Sequence, residues 1–463
     1  MTTQSSRSSG RMRVCGSTVS GESPAGSLIG GAGVMTNPIT DETPDYPHRG
    51  HVLDATLGYD DHMASLEDMR REFPALGDRL CFLDWAATGL IPERTRLSVH
   101  RYVDELARCE GADATAVHGT HGETRQRART VIAGLLGARR DDVALVENTT
   151  QGIQIAAESL RLEPGDNVLV SELDYLAVAL PWLMRRRADR IEVRQVPCRE
   201  GRLLADDVLA CVDDRTRIIS VSTTGWTTGA LADIDGITAL ARSRGIHVVL
   251  DAVQTFGTVP LDVGQTDASF IAVGGHKWMN ATLGAGFLYV RPGTAARARP
   301  QRFGFLNGHP SSSGSWPEWF SSGHASLDED VVFPSNGRIF ESGGTPSYVG
   351  ALGVLGMGEL LAEVGIDAIA KQVRDLGGVL IEQLESRGLK VWTPKDPAQR
   401  AGLIVATTGT VERDKAIVAG LRERGVAISA RWAKGIGGTR WSIHGMNNAA
   451  DLDRAMSVLD DIG

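Results

Sequence analysis

The chain has no apolar run approaching the ~18 residues needed to cross a bilayer, and no apolar segment ahead of a cleavage site among its first residues. These absences argue against a membrane role and predict a cytoplasmic protein. Positive charge is also in deficit. There are 48 Lys and Arg against 57 Asp and Glu, a net charge of -9, so no broad basic face is available for a phosphate backbone and nucleic acid is not an expected partner. The short basic run Arg185 to Arg187 follows an apolar stretch and reads as a solvated helix end. The five cysteines, Cys15, Cys81, Cys109, Cys198 and Cys211, are odd in number and lack the paired spacing of a metal site. A disulfide-stapled scaffold is therefore not expected, nor is a metal centre, and a reducing compartment is. No glycine-rich dinucleotide fingerprint follows the early strands, which counts against a nicotinamide dehydrogenase.

What is present is a chain of 463 residues, 42% hydrophobic and 23% charged, long enough for at least two packed units. Residues 1–65 are rich in Ser, Gly, Thr and Pro, a composition that buries too little to offset chain entropy, and a disordered leader is predicted there. From Leu66 short apolar runs alternate with helical patterns, the signature of an α/β unit with a mainly parallel sheet. The predicted strands are Val143–Val146, Asn167–Val170, Ile191–Val196, Arg217–Val221, His247–Leu250, Ser269–Val273 and Gly286–Val290. A helix over Gly236–Arg244 ends at the stop signal Gly245. Beyond Pro334 the pattern changes to a long helical stretch, Tyr348–Arg387, in which the series Gly350, Gly353, Gly356, Gly358 predicts close packing or a kink. A strand over Leu403–Ala406, a helix over Asp414–Arg424 and a last helix from Ala450 follow. The expected division is a large domain over 66–335 and a smaller α+β domain over 336–463.

The stretch carrying most chemical information is Val248-Val249-Leu250-Asp251-Ala252-Val253-Gln254, followed by Gly274-Gly275-His276-Lys277-Trp278. Ligands of open α/β sheets collect beyond the carboxyl ends of the strands, so a carboxylate at 251 and an amine at 277 can meet over one ligand. The turn Glu147-Asn148-Thr149-Thr150-Gln151-Gly152 lies between a strand and a helix. Its hydroxyls and free N–H groups suit a phosphate, although an ordinary helix cap would look the same.

Together these elements resemble the class V aminotransferase and cysteine desulfurase group of fold-type I pyridoxal 5'-phosphate (PLP) enzymes, from about Leu83 to the C-terminus. The resemblance implies a fold-type I transferase architecture and PLP as cofactor. It implies that Lys277 holds PLP as a Schiff base, that Asp251 pairs with the pyridine nitrogen and that Gln254 approaches the phenolic oxygen. Thr149, Thr150 and His276 would take the phosphate. Gly274 stands where a serine is usual, so one hydroxyl is missing. The segment Glu341-Ser342-Gly343-Gly344-Thr345-Pro346 resembles one that offers a threonine across a dimer interface, and a homodimer with shared active sites, Thr345 completing the phosphate cradle, is the corresponding expectation. Tyr175, in Ser171-Glu172-Leu173-Asp174-Tyr175, matches the position of a ring over the cofactor; the alternative is a buried structural tyrosine. Arg440, in Thr439-Arg440-Trp441-Ser442-Ile443-His444, matches the arginine that forks onto a substrate α-carboxylate, against the alternative of a surface salt bridge. His444 reads more readily as structural. Leu83-Asp84-Trp85-Ala86-Ala87-Thr88 resembles the segment at the substrate entrance, placing Trp85 and Ala87 beside substrate.

Desulfurases of this group carry a nucleophilic cysteine shortly before the carboxylate arginine. The interval Ser429 to Thr439 contains none, and no cysteine lies beyond Cys211. The cysteine-free members resemble C–S lyases and isopenicillin N epimerase-like enzymes. The resemblance therefore implies β-elimination from an S-substituted cysteine, in sulfur metabolism or in natural-product metabolism such as antibiotic biosynthesis. Decarboxylation with deamination, epimerisation and transamination remain open. A non-catalytic scaffold would have no need of Lys277, Asp251 and Arg440 together. The stretch 302–323 would enclose a bulky substituent or be a plain surface loop.

Overall fold

Short runs rich in Val, Ile, Leu and Phe build the central sheet, because strands covered on both faces need a near-continuous apolar sequence. The computed structural model describes residues 64–77, 79–109, 113–323 and 326–462. Its main strands are β1 (Val143–Val146), β2 (Asn167–Ser171), β3 (Glu192–Val196), β4 (Thr216–Ser222), β5 (His247–Asp251), β6 (Phe270–Gly274) and β7 (Gly286–Val290). They lie in the order β1-β7-β6-β5-β4-β2-β3. Only β7 runs against its neighbours, so the sheet is mainly parallel as expected, with each predicted strand within one residue of its observed ends. The leader expected over 1–65 falls, but for its last two residues, outside the described residues.

Two helices, α1 (Glu93–Arg108) and α2 (Ala116–Leu136), precede the sheet in a stretch for which no element was predicted. Behind β1 the chain enters α3 (Thr149–Ser159), where Asn148 Oδ1 accepts from the Gln151 N–H at 2.9 Å and so satisfies an orphan donor of the first turn. Next come α4 (Leu176–Ala188) and α5 (Ile234–Arg244), the latter ended by Gly245 at φ 65°. Arg185 is more than a solvated helix end. It pairs with Asp189 at 2.5 Å and donates to the Leu160 carbonyl at 2.9 Å, while Arg186 and Arg187 are exposed.

The predicted long helix is two, α6 (Tyr348–Val364) and α7 (Ile366–Ser386), bent by 80°. The break falls at Gly365, not in the Gly350–Gly358 series. Those glycines serve close packing instead: a Cβ on Gly353 would lie 2.7 Å from the Thr282 nitrogen, and one on Gly358 2.7 Å from Val131 Cγ1. Among the described residues no single helix is long and apolar enough to cross a membrane.

A four-stranded antiparallel sheet follows, with β8 (Lys390–Val391), β9 (Leu403–Thr407), β10 (Ser429–Ala433) and β11 (Ile436–Ser442) in the order β8-β9-β11-β10. Helices α8 (Val411–Glu423) and α9 (Ala449–Ile462) accompany it. Contacts run across the expected boundary at residue 335. Cys81–Phe82 pairs in parallel with Val426–Ala427, and α6 packs on α1 and α2, because those early helices need an apolar cover that the C-terminal half supplies.

Candidate active site

Every chemically informative turn lies at one edge of the large sheet. Asp251 is the last residue of β5, Gly274 the last of β6, Ser222 the last of β4, and Asn148 and Thr149 follow β1. Parallel strands bring their carboxyl ends to a common side, and that shared edge opens here into a cavity of about 390 Å³. Lys277, Asp251, Gln254, His276, Thr149, Thr150, Tyr175, Ala87 and Arg440 all line it.

Asp251 is buried, and Oδ1 accepts from the Val253 N–H at 2.9 Å. Burial pushes its carboxyl up to about 6, while that N–H and Lys277 favour the ionised form. Behind it Asp174 accepts from the N–H groups of Ser222 and Ser171, at 3.1 and 3.2 Å. Desolvation lifts Asp174 to about 7, and the Asp251 charge adds to the shift. Lys277 has no hydrogen-bond partner for Nζ among the described residues, and its ammonium stands 5.8 Å from the centroid of the Tyr175 ring. Burial brings the amine down to about 8; Asp251 opposes the shift, and Arg440 and Arg431 add to it.

The residues fit the cofactor that the motifs implied. Thr149 Oγ1 accepts from the Gly274 N–H at 2.8 Å and keeps its own hydroxyl hydrogen to donate. A Cβ on Gly274 would lie 3.0 Å from that oxygen and 3.2 Å from the His276 ring, so glycine keeps open a cradle which a larger residue would fill. Burial, then Lys277, lowers the His276 imidazole from its usual range. Gln254 accepts from Trp278 Nε1 at 2.6 Å and donates to the Ala86 carbonyl at 3.2 Å, which locks its amide. Tyr175 is about half exposed and meets Trp226 edge-on, with ring centroids 5.3 Å apart, so it is not the buried structural tyrosine of the alternative.

Arg440 comes from β11 and is buried, not part of a surface salt bridge. Its Nε donates to Ser429 Oγ at 3.1 Å, and Asp84 stands 3.8 Å from its guanidinium. Burial lowers it to about 10, against the pull of Asp84. His444 is structural: Nε2 bonds the Trp278 carbonyl at 2.7 Å, directly behind Lys277, and burial drops the ring to about 4.

Trp85 corrects the expectation of a substrate contact. It is fully buried, donates from Nε1 to Asn447 Oδ1 at 2.8 Å and packs edge-on against Phe82 and Phe73. An indole in this entrance segment is too large for the cavity wall and turns into the core, leaving Ala86, Ala87 and Thr88 to line the site. Thr345 is exposed and lies outside the cavity of its own chain. The stretch 302–323 forms an aromatic surface cluster around Trp316 and Phe320, away from this cavity.

Sequence reasoning missed Arg431 and Trp226, which line the cavity, and Asp84 and Asp174, which stand behind it.

The aminotransferase class-V profile matches residues 81–454. A protein named "Probable cysteine desulfurase" from Methanothermobacter thermautotrophicus is 31% identical over 239 residues, spanning 51% of this chain and 59% of that protein. A cysteine desulfurase from Yersinia pseudotuberculosis is 27% identical over 74% of this chain and 83% of its own. Among solved structures, the cystine C–S lyase C-DES in complex with its product cysteine persulfide superimposes with a TM-score of 0.75. That match covers 84% of this chain and all of the other at 19% identity, which speaks to the fold alone.

Proposed function

The chain belongs to the aminotransferase class-V family of PLP enzymes, with their fold-type I architecture, and from that premise we propose that it cleaves the C–S bond of an S-substituted cysteine by β-elimination, in sulfur or natural-product metabolism. One observation carries the reading. Lys277, Asp251 and Arg440 face a single cavity, while the strand pair ahead of Arg440 offers no thiol to receive sulfur. The names of the relatives support chemistry on cysteine sulfur; the missing loop cysteine supports release of sulfur as a free thiol.

PLP, when bound, supplies an electron sink for charge developing at the substrate α-carbon. The chain's own groups do the rest. Arg440, held by Ser429 and Asp84, presents planar donors to the α-carboxylate and fixes which substrate bond faces Lys277. A Lys277 amine near 8 is partly neutral at physiological pH, so Nζ can accept the α-proton and later return one. Asp251, its charged form favoured by the Val253 N–H, would pair with the pyridine nitrogen and hold a proton there. Thr149, Thr150 and His276 would hold the phosphate at the start of α3, and in a homodimer the hydroxyl of Thr345 would be the remaining donor. Tyr175, whose ring lies 5.8 Å from the Lys277 ammonium, would stack over the cofactor, and its hydroxyl could pass a proton to the leaving sulfur.

The test is a product analysis of the purified holoenzyme with S-alkyl cysteines. Elimination releases thiol, pyruvate and ammonia in equal amounts, and Tyr175→Phe slows it without loss of bound PLP. Carbon dioxide with an aldehyde would replace this reading by decarboxylation with deamination, and an inverted amino acid without fragments would replace it by epimerisation.

A further inference from the structure

Trp226 brings to the cavity a large carbon surface that no step of the proposed chemistry uses. It stands on the loop that follows β4, and that loop has no slack. Thr224 bridges to Leu231, the Gly225 N–H donates to the Ala230 carbonyl at 2.8 Å, and the Gly229 N–H donates back to the Gly225 carbonyl at 2.7 Å. A Cβ on Gly225 would lie 2.5 Å from Thr228 Oγ1, so glycine there lets the loop close. From outside the loop, the Thr393 hydroxyl donates to the Thr228 carbonyl at 2.6 Å. The indole itself donates from Nε1 to the Leu173 carbonyl at 2.9 Å, which holds the ring against the turn that carries Tyr175. Its place is thus set before a ligand arrives, and binding need not order it.

Nε1 is the only hydrogen-bonding atom of an indole. With that atom spent on Leu173, Trp226 offers the cavity carbon alone. Ala86, Ala87, Ala177 and Val253 add lining without polar side-chain atoms, and the alanines are small enough to leave room for a ring. The charged groups do not favour a charged substituent at the indole. Arg431 and Arg440 on the β10–β11 hairpin disfavour a cation in the cavity, and the negative face of an indole repels an anion. With the Tyr175 hydroxyl passing a proton to the leaving sulfur, the group on that sulfur comes beside Trp226, because the two rings meet edge-on with centroids 5.3 Å apart. A polar substituent would give up water there and find no donor on the indole, whereas an apolar ring buries its surface and gains aromatic contact.

We infer that Trp226 selects the sulfur substituent, so that the substrate is an S-substituted cysteine whose substituent is an uncharged apolar ring such as a benzyl group. This assignment rests on β-elimination with Tyr175 facing the leaving sulfur.

The test compares S-benzylcysteine with S-(2-carbamoylethyl)cysteine, whose substituent is also uncharged but polar. Their binding to the holoenzyme is read from the cofactor absorbance change in stopped flow, before turnover, and thiol release is read separately. The wild-type protein should favour the benzyl compound by roughly tenfold or more. Trp226→Ala should bring that ratio down to about threefold or less, and Trp226→Phe should keep most of it. Both variants leave the Leu173 carbonyl without its donor, so a role confined to holding the Tyr175 turn would make them alike. A smaller wild-type ratio, a ratio that Trp226→Ala leaves intact, or a Trp226→Phe ratio no better than that of Trp226→Ala overturns the assignment. Thiol from both ligands without a binding preference defeats this inference alone. The expected preference without any thiol would instead defeat the elimination reading and leave Trp226 as the selector of a ring-bearing amino acid. If neither ligand changes the spectrum, the amino-acid reading of the cavity fails and takes the inference with it.

Discussion

Replacing Asp251 by Asn should make the cofactor-free protein more stable while making it useless as an enzyme. The carboxyl stands at about 6 in the folded chain against an ordinary 3.8, because burial outweighs the help of the Val253 N–H and Lys277. An acid whose pKa is raised by folding leaves the native state most stable below the unfolded value; that contribution is lost as pH rises through the folded one. Each unit corresponds to about 1.4 kcal/mol. Roughly two units therefore mean about 3 kcal/mol of stability forfeited above pH 6. Asparagine cannot ionise and avoids the loss. Lys277 surrenders an attractive neighbour in the variant, so about 3 kcal/mol is the ceiling of the gain. Urea unfolding of both cofactor-free proteins at pH 4, 6 and 8 measures it. The advantage of Asp251→Asn should be under about 1 kcal/mol at pH 4 and grow towards the ceiling by pH 8. Asp174 does not cancel: the Asp251 charge helps to raise its carboxyl, and relief of that repulsion in the variant offsets part of the Lys277 loss. An advantage that does not vary with pH, or a variant less stable than wild type at pH 8, would refute the view that this carboxylate is held against its solvation. Holoenzyme measurements should run the other way, with weaker PLP retention and no turnover.

Borohydride treatment of the holoenzyme should fix the cofactor to Lys277, as peptide mapping would show; attachment to another lysine contradicts the assignment. Thr345→Ala should speed PLP loss about tenfold, the worth of roughly one hydrogen bond to a charged group, and light scattering should show a dimer. A monomer that holds PLP tightly would exclude sharing of the site. Trp85→Ala should cost about 3–5 kcal/mol in urea unfolding, because the indole is fully buried; a near-neutral result would return Trp85 to the cavity wall.

The strands were legible because burial on both faces leaves few polar residues to interrupt the apolar runs, as in Val248-Val249-Leu250 and Ile271-Ala272-Val273. Asp251 and Lys277 were legible for a related reason. A polar residue directly after such a run must sit at the sheet edge, where this fold class binds ligands. Arg431, Trp226 and Asp174 escaped because their positions depend on hairpin register and on loops that meet only in three dimensions. Trp85 misled because a position in an entrance motif does not say which way its side chain turns, and a large apolar ring turns inward. Likewise the glycines of α6 are needed to let other elements approach, while the bend needs only Gly365, at φ 84°.

Phe82 and Ala427 are neighbours in space, and the Ser429 hydroxyl reaches Asp84 across 345 positions of sequence. That closure can form only after both ends of the described chain have been synthesised. The strands and turns around Asp251 and Lys277 emerge together and can form their sheet while the chain is still growing. The seat of Arg440 is complete only when Ser429, its neighbour in the hairpin, has met Asp84. A chain cut short after about residue 420 would lack Arg440, and with it the seat proposed for the substrate carboxylate. Contacts this distant in sequence are also the slow ones to form.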